Sequence, residues 1–282
     1  MTVNANTPRL RVGIIGAGNV ATHIATSLHQ SADVVQIYTP HMSTATLLAD
    51  RTGAEATDSI ANLRTDVDCI ILSIKDDAVA AVLKQIDSTF SPDALSRIVW
   101  MHTAGSVDMN CFPDSMPNHG ILYPLQTFSR DVAVDMRKVP FFIEGTTALA
   151  IECISTLARM LSDKVKPLDS EQRRQLHAAA VLACNMPMYL WSLAHDVLQA
   201  HGLDFAVMRP LLEVTLDKAM SCNPSDVITG PARRGDTATI AKHMADLPPQ
   251  AANVYAILTN EILKKFNHPT LNQTPQYEQD KL

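Results

Sequence analysis

The chain has 282 residues, of which 46% are apolar and 18% charged, and its formal net charge is −6. This composition supports a substantial core in one large or two ordinary domains and excludes a disordered chain. The mildly acidic balance argues against nucleic acid or an anionic membrane as a partner. Five scattered cysteines without CxxC spacing and a polar start without a signal-peptide pattern predict a cytoplasmic protein with reduced, mostly buried thiols.

Residues 10–29 predict a strand, a glycine turn and a helix. Gly16 permits a sharp turn, Gly18 leaves the backbone open to a diphosphate, and Ala21 allows the helix to pack closely on the strand. The N–H groups at the start of the helix are suited to bind an anion. This GxGxxA pattern, placed between strand and helix, predicts a dinucleotide site. The alternative is a purely structural turn.

A second strand is predicted at residues 34–39. It ends in Tyr38, Thr39, Pro40 and His41, where NAD-specific sites carry an acidic residue for the adenosine ribose. No carboxylate stands here to repel a 2′-phosphate, and hydroxyl and imidazole groups can bind one. The pattern therefore favours NADP(H) over NAD(H).

Two further strands, 68–74 and 97–101, end in polar residues. Lys75 follows the first at the sheet edge where ligands of α/β proteins bind, although a solvated lysine fits as well. Asp77 is placed to cap a helix that begins at Ala78. The loop from His102 to Ser106 is suited to face a nicotinamide, and an ordinary turn is the alternative.

The sheet is predicted to close with strands at 120–129, 139–144 and 165–168. Tyr123, Gln126 and Thr127 are polar groups inside the first of these segments, and they need partners in the protein or on a ligand. Helices are predicted at 43–51 and 147–161. The fold class is α/β, with a Rossmann-type, doubly wound and mostly parallel sheet.

Beyond Glu171 the pattern is helical only. Asp169 or Ser170 is expected to cap a long helix that Pro187 kinks and Gly202 ends, followed by helices at 205–221, 237–245 and 251–266. The apolar run at 178–194 predicts a buried helix rather than a membrane span. The predicted domains are a dinucleotide-binding domain at 1–168, an all-α substrate and dimerisation domain at 169–266 and a polar tail at 267–282.

Six ordered blocks carry a family resemblance: GIIGAGNVATHIATSL, LSIKDDAV, HTAGSV, GILYPLQTFS, EQRRQLHAAAVLACN and TGPARRGD. Together they resemble the Rossmann-like NADP-dependent oxidoreductases with a C-terminal domain of unknown function. These are distant relatives of pyrroline-5-carboxylate reductase, of the deazaflavin-dependent NADP oxidoreductases and of the 6-phosphogluconate and β-hydroxyacid dehydrogenases. The resemblance implies a helical domain that commonly dimerises and an active site in the interdomain cleft. The lysine and asparagine pair of the β-hydroxyacid dehydrogenases is absent, since the comparable helix offers His177 and Asn185.

Candidate chemistry rests on a few polar side chains. His177 is the candidate acid or base, unless it is a hydrogen-bonded core residue. Asn185, about 80° around the helix from His177, is a candidate orienting amide or a core asparagine. Arg233 and Arg234 are suited to bind a carboxylate or phosphate, or they form a solvated pair. The histidines show no metal-ligand spacing, so no metal is expected.

The resulting hypothesis is a cytoplasmic, homodimeric NADP(H)-dependent oxidoreductase that reduces a small polar, anionic carbonyl or imine. The alternative is a non-catalytic dinucleotide sensor or interaction protein. The catalytic candidates are His177, Asn185 and Ser106, and the substrate-binding candidates are Tyr123, Gln126, Arg233 and Arg234. The cofactor-binding candidates are Gly16, Gly18, Asn19, Val20, Ala21, Tyr38, Thr39, His41, Ser73, Ile74, Lys75, His102, Thr103 and Ala104.

Overall fold

The computed structural model describes residues 9–271. The described strands are β1 (Arg11–Ile15), β2 (Asp33–Tyr38), β3 (Glu55–Thr57), β4 (Cys69–Leu72), β5 (Val99–His102), β6 (His119–Pro124), β7 (Phe141–Gly145) and β8 (Val165–Pro167). The described α-helices are α1 (Asn19–Leu28), α2 (Met42–Thr52), α3 (Val79–Thr89), α4 (Pro92–Leu95), α5 (Ala148–Leu161), α6 (Ser170–Ala180), α7 (Met186–Ala200), α8 (Arg209–Ser221), α9 (Pro231–Arg234), α10 (Thr237–Asp246) and α11 (Pro249–Lys265).

The strands form one eight-stranded sheet in the order β3-β2-β1-β4-β5-β6-β7-β8. Among the described strands, only β6 and β7 pair antiparallel. The chain crosses from one side of β1 to the other between β3 and β4, and β1 pairs with both β2 and β4. This reversal of strand order is the point at which open α/β sheets bind ligands, outside the carboxyl ends of their strands. The doubly wound, mostly parallel sheet predicted from the sequence is confirmed.

Buried residues form one apolar cluster on each face of the sheet. Because side chains alternate along a strand, Ile14 of β1 joins the cluster packed by α1, α2 and α5, while Ile15 joins the cluster packed by α3. Asp169 caps α6 by accepting a hydrogen bond from the N–H of Gln172 (2.7 Å), as predicted. Burial on both faces holds the strand ends rigidly, and the candidate site lies at these ends.

The chain divides into two compact units, the first ending at Cys184 and the second beginning at Asn185. Helix α6 therefore belongs to the first unit, whereas the change in composition predicts a boundary at residue 168. The described core of the second unit is small and is built around Ala232, Ile240 and Leu263. Asp236 caps α10 by accepting from the N–H of Thr239 (3.1 Å).

Several local predictions were wrong. Strand β6 ends at Pro124 rather than residue 129, because its partner β7 begins after Pro140, which lacks a backbone N–H. Gln126 and Thr127 are consequently exposed. Asp77 lies inside a 3₁₀ turn, Asp76–Ala78, and no side chain caps α3. The short edge strand β3 was not predicted.

The long apolar helix also differs from its prediction. A π-helical segment, Val181–Asn185, separates α6 from α7 and takes the place of the simple kink expected at Pro187. Ser170–Ala200 is the one described helical stretch long and apolar enough to cross a bilayer, a criterion of length and composition only. The expectation of a buried helix at 178–194 was wrong, since α7 has no buried residue in the single chain.

The cysteines are all free, as expected, but only Cys69 and Cys153 are buried, whereas Cys184 and Cys222 are exposed. The prediction of mostly buried thiols was therefore wrong. Cys184 lies in the π-helical segment before α7, and Cys222 directly follows α8; neither helix has a buried residue in the single chain. Most of the predicted polar tail, from residue 272 onward, lies outside the described residues, as do residues 1–8.

Candidate cofactor and active site

The glycine turn joins β1 to α1 at the reversal of strand order. Gly16 has a φ of +112°, and a Cβ there would lie 2.1 Å from the carbonyl oxygen of Ser73. Only glycine tolerates both conditions. At Gly18 a Cβ would meet nothing within 4 Å, and no side chain caps α1. The N–H groups of the first turn of α1 are therefore open to an anion.

A cavity of about 680 Å³ lies beside this turn, within the size range of ligand pockets. Its walls come from the first unit, from residues at the ends of β1, β2, β4, β5 and β6 and from α6. The predicted site residues on its wall are Gly16, Gly18, Asn19, Val20, Tyr38, Thr39, His41, Ser73, Ile74, Lys75, Thr103, Ala104, Tyr123, Gln126 and His177. The other predicted site residues do not line it.

Ala21 and His102 are two of the predicted residues that do not line the cavity. Ala21 is buried against the sheet, as its small size allows. His102 is also fully buried, and its ring stacks on Phe112 with an interplanar angle of 9°. Its Nδ1 accepts a hydrogen bond from the N–H of Ala104 (3.2 Å). Burial, together with the nearby charge of Arg173, lowers the pKa of His102 to about 4, so its imidazole is neutral.

The end of β2 carries the groups expected for a phosphate. Tyr38 and Thr39 are buried apart from the surface that they present to the cavity, whereas His41 is exposed. Asp76 is the one carboxylate among the described residues on the wall, and it follows β4 rather than β2. Among the described residues no carboxylate therefore lines the β2 end of the cavity, but the charge of Asp58 reaches Tyr38 and, after burial, contributes to the raised pKa of its phenol.

Arg130 lies beside the glycine turn and was not predicted. Its guanidinium donates to the carbonyl oxygen of Ala17 (3.1 Å), inside the turn. Arg130 belongs to the loop that follows β6, and this loop is held against α1. Asn19 donates to the carbonyl of Phe128 (2.9 Å), and His23 donates to the carbonyl of Ser129 (3.0 Å). The loop thus brings a permanent positive charge to the glycine turn. Nothing in the local sequence pattern around Arg130 indicates this approach.

Tyr123 and His177 face one another across the cavity wall. The Tyr123 hydroxyl lies 3.0 Å from Nδ1 of His177, and the two rings meet edge to face. Burial raises the pKa of the Tyr123 phenol, which the charge of Arg173 partly opposes. The phenol therefore stays protonated near neutral pH, and its oxygen can either donate to Nδ1 of His177 or accept from an Nδ1–H.

Gly105 sits between the loop after β5 and His177. A Cβ on Gly105 would lie 2.4 Å from Nδ1 of His177, closer than any real contact of that kind. The loop can therefore approach the imidazole only with glycine at this position. Next to it, exposed Ser106 donates a hydrogen bond to the Asp76 carboxylate, which lines the cavity.

Comparison with known proteins identifies the family. Residues 11–95 match the family described as NADP oxidoreductase, coenzyme F420-dependent, and residues 139–262 match a domain of unknown function, DUF2520. The chain is 35% identical to a Bacteroides fragilis protein provisionally named an NADP oxidoreductase. That alignment covers 91% of this chain and 98% of that one, with a TM-score of 0.84. The chain belongs to this family of NADP oxidoreductases.

More distant structures share the fold of this oxidoreductase. An imine reductase from Myxococcus stipitatus, solved with NADP+, has 12% identity and a TM-score of 0.65, covering 91% of this chain and 93% of that one. A pyrroline-5-carboxylate reductase from Coxiella burnetii has 14% identity and a TM-score of 0.55, covering 90% and 98%. A comparison with curated proteins found no match.

The remaining candidate residues of the oxidoreductase belong to its second unit. Asn185 is exposed and directly precedes α7. The guanidinium of Arg233 lies 4.0 Å from the centre of the Phe266 ring, and the Arg233 carbonyl accepts from His268. Arg234 is exposed. Their predicted roles stay predictions.

Proposed function

We propose that this oxidoreductase binds NADP(H) in the cavity at the glycine turn and reduces a small polar, anionic carbonyl or imine compound beside Tyr123 and His177. One observation carries the proposal: the hydrogen-bonded Tyr123–His177 pair lines the same cavity as Gly16 and Gly18. A proton-transfer pair and a diphosphate turn in one cavity are the parts that a nicotinamide-dependent reductase needs from its protein.

The residues present fit a dinucleotide phosphate. In this proposal the diphosphate binds at Gly18 and the N-terminus of α1, where a Cβ has open space and no side chain caps the helix. Arg130 contributes the positive charge beside the turn. Thr39 and His41 bind the 2′-phosphate at the end of β2, where no carboxylate lines the cavity wall.

The chain's own chemical task is to move one proton. The bound dinucleotide supplies the hydride. In this proposal the acid is the imidazolium form of His177, whose Nδ1–H donates to the Tyr123 hydroxyl oxygen and whose Nε2–H is the proton to be transferred. His177 gives the Nε2 proton to the carbonyl oxygen or imine nitrogen of the substrate, which leaves a neutral imidazole still bonded to Tyr123 through Nδ1. Arg233 and Arg234 are assigned to the anionic group of the substrate, and the predicted interdomain cleft remains part of the proposal.

Cofactor binding and turnover can be tested separately. Fluorescence titration should show tighter binding of NADPH than of NADH, and His41→Asp should reduce or reverse this preference because it adds a carboxylate near the 2′-phosphate. Cofactor oxidation is then followed against a panel of keto acids, cyclic imines and oxidised deazaflavin. Failure to bind either nucleotide would overturn the proposal, whereas binding without oxidation of any panel member would favour the sensor alternative.

His177 is tested with the substrate that the panel identifies. His177→Ala should lower kcat by at least about 100-fold, since general acid catalysis contributes on this scale, and should leave the Kd for NADPH within a few-fold. Tyr123→Phe should cause a smaller loss, because the imidazole remains but its Nδ1 loses its hydrogen-bond partner. Wild-type turnover in His177→Ala would remove this residue from the proposed mechanism.

The proposal includes a homodimer formed through the second unit. Helices α7 and α8 have no buried residues in the single chain, and Leu182, Met188, Leu211 and Met220 are among their exposed or adjoining apolar side chains. Exposed apolar faces of this extent mark interaction surfaces. A second copy supplies the same two helices and can cover both faces by closed twofold symmetry.

A further inference from the structure

Arg173 is the buried charge in the described structure that the proposed mechanism does not use. It lies on α6 with 0% of its surface exposed. Nη1 donates to the Glu144 carboxylate of β7 (2.9 Å), and Nη2 donates to the carbonyl of Val107 and to Oγ of Ser170. A buried guanidinium is costly unless every charge is paired in good geometry. This pair, which ties three chain segments together, therefore points to a role other than stability alone.

Glu144, Arg173 and Ser170 form one hydrogen-bonded cluster, in which Glu144 contacts both of the other residues. Its carboxylate accepts from the N–H (3.1 Å) and from the hydroxyl (2.7 Å) of Ser170, at the start of α6. One arginine and one glutamate thus fix the first turns of α6 against β7 and against the loop that follows β5. No other described cation contacts this cluster.

The segments that Arg173 joins are the ones that meet at the proposed proton donor. Val107 is two residues beyond Gly105 in the loop, and His177 is four residues beyond Arg173, on the same face of α6. Gly105 and His177 are packed more closely than a Cβ would allow. The Arg173 contacts, one helical turn away, are therefore placed to hold this close approach and with it the Tyr123–His177 hydrogen bond.

The positive charge of Arg173 also affects the pKa values of two neighbouring groups, His102 and Tyr123. Burial is the larger cause of the lowered pKa of His102, and Arg173 adds to it, while Asp76 and Asp108 oppose it. At Tyr123, burial and Asp76 raise the pKa, and Arg173 lowers it. Loss of the Arg173 charge should therefore raise the pKa of both groups.

We propose that Arg173 is a positioning residue: it clamps the loop after β5 to α6, so that His177 stays against Gly105 and within hydrogen-bond distance of Tyr123. This inference rests on the proposed function for its catalytic meaning. The physical arrangement that it describes can be tested without turnover.

The test compares Arg173→Met/Glu144→Gln with Arg173→Lys and Arg174→Met. The double variant removes both partners, so no carboxylate is left unpaired and the protein should fold. Arg174 is the matched control, because it is the adjacent arginine on α6 but is exposed and pairs with Asp108 (2.8 Å). Titration of ¹³C-labelled tyrosine followed by NMR, with Tyr123→Phe to assign the signal, reports the phenol. Imidazole NMR signals, assigned with His177→Ala, report the position of His177.

The double variant should raise the pKa of Tyr123 and shift the His177 signals, whereas Arg174→Met should change neither. Arg173→Lys keeps the positive charge but loses the planar guanidinium that binds two acceptors at once. This variant should therefore show the wild-type pKa of Tyr123, whereas its His177 signals should be shifted as in the double variant. A double variant with a lower Tm but unchanged Tyr123 and His177 signals would overturn the proposal, because Arg173 would then be structural only. Absence of any NADPH-dependent turnover in the wild type would instead count against the proposed function and leave this result standing.

Discussion

At Gly105 a hydrogen atom occupies the place where any other residue would set a carbon 2.4 Å from Nδ1 of His177. This contact joins a loop that the sequence pattern describes only as polar and small to the helix that bears the proposed acid. The loop and the helix are far apart in the chain. Their close approach is therefore visible only once the fold has brought them together.

Gly105→Ala should displace His177 and lower kcat by roughly 100-fold, since a shift of about 1 Å at a reacting group has effects of this size. NADPH affinity should change much less, because the diphosphate turn is untouched. Steady-state kinetics and fluorescence titration measure the two effects. Gly13→Ala is the control, as its Cβ would meet the Ile70 side chain at 3.2 Å and the Cys69 carbonyl oxygen only at 3.9 Å, an ordinary contact distance. Equal losses of activity in both variants would contradict the prediction.

Arg130 shows a second long-range contact at the scale of one residue. Its guanidinium reaches the carbonyl of Ala17 in the glycine turn. Arg130→Ala should weaken NADPH binding about tenfold, in line with the loss of a charge-assisted contact, and should reduce the salt dependence of the Kd. Arg137→Ala, which removes an exposed pair with Asp163, should leave the Kd unchanged. An unaltered Kd in Arg130→Ala would exclude Arg130 from phosphate binding.

At the scale of the element, α7 and α8 show that the sequence can predict where a helix forms without predicting what buries it. The sequence pattern predicts both helices, and both are present. It also predicts a buried helix at 178–194, yet the single chain leaves that face open. An apolar helix face indicates that some other surface covers it. It does not indicate whether that surface belongs to the same chain or to another one.

Leu211→Glu should dissociate the proposed homodimer, because it places a charge on the exposed apolar face of α8, where Leu211 is 61% exposed. The fold of the monomer should tolerate an exposed glutamate. Sedimentation velocity measures the mass, with Leu149→Glu as control, since Leu149 is 52% exposed on α5 of the first unit. A wild-type protein that is monomeric at micromolar concentration would refute the dimer, and an unaffected dimer in Leu211→Glu would remove α8 from the interface.

At the scale of the whole molecule, His102 links the stability of the fold to pH. Its pKa is lowered from 6.5 to about 4, first by burial and then by the charge of Arg173. Between these two values the unfolded chain binds a proton that the folded chain does not. Stability contributed by neutral His102 is therefore complete above about pH 6.5 and is lost as the pH falls toward 4.

This loss should amount to about 3 kcal/mol in the free energy of unfolding across that interval. Urea unfolding at a series of pH values measures it. His102→Gln, which cannot titrate, should be less stable at pH 7.5 but should show a shallower dependence on pH between 6.5 and 5. Parallel pH profiles for the variant and the wild type would contradict the assignment of this dependence to His102.

The strand, glycine turn and helix at 10–29, the alternation of strands and helices, and the family blocks could all be read from the sequence. These features depend on local periodicity, on the φ freedom of glycine and on turn chemistry, which act over a few residues. The boundaries were less accurate where pairing decides them. Strand β6, for example, stops where its partner β7 begins after Pro140.

The sequence by itself determined the order of the elements, the doubly wound sheet, the place of the dinucleotide turn and the candidate acid His177. Only the tertiary structure decided that Tyr123 bonds to His177, that Gly105 lies against it, that Arg130 reaches the glycine turn and that Arg173 clamps the loop to α6. Each of these contacts joins two residues that lie between 54 and 113 positions apart in the chain. No local pattern encodes them, because the sheet and its two cores bring the segments together.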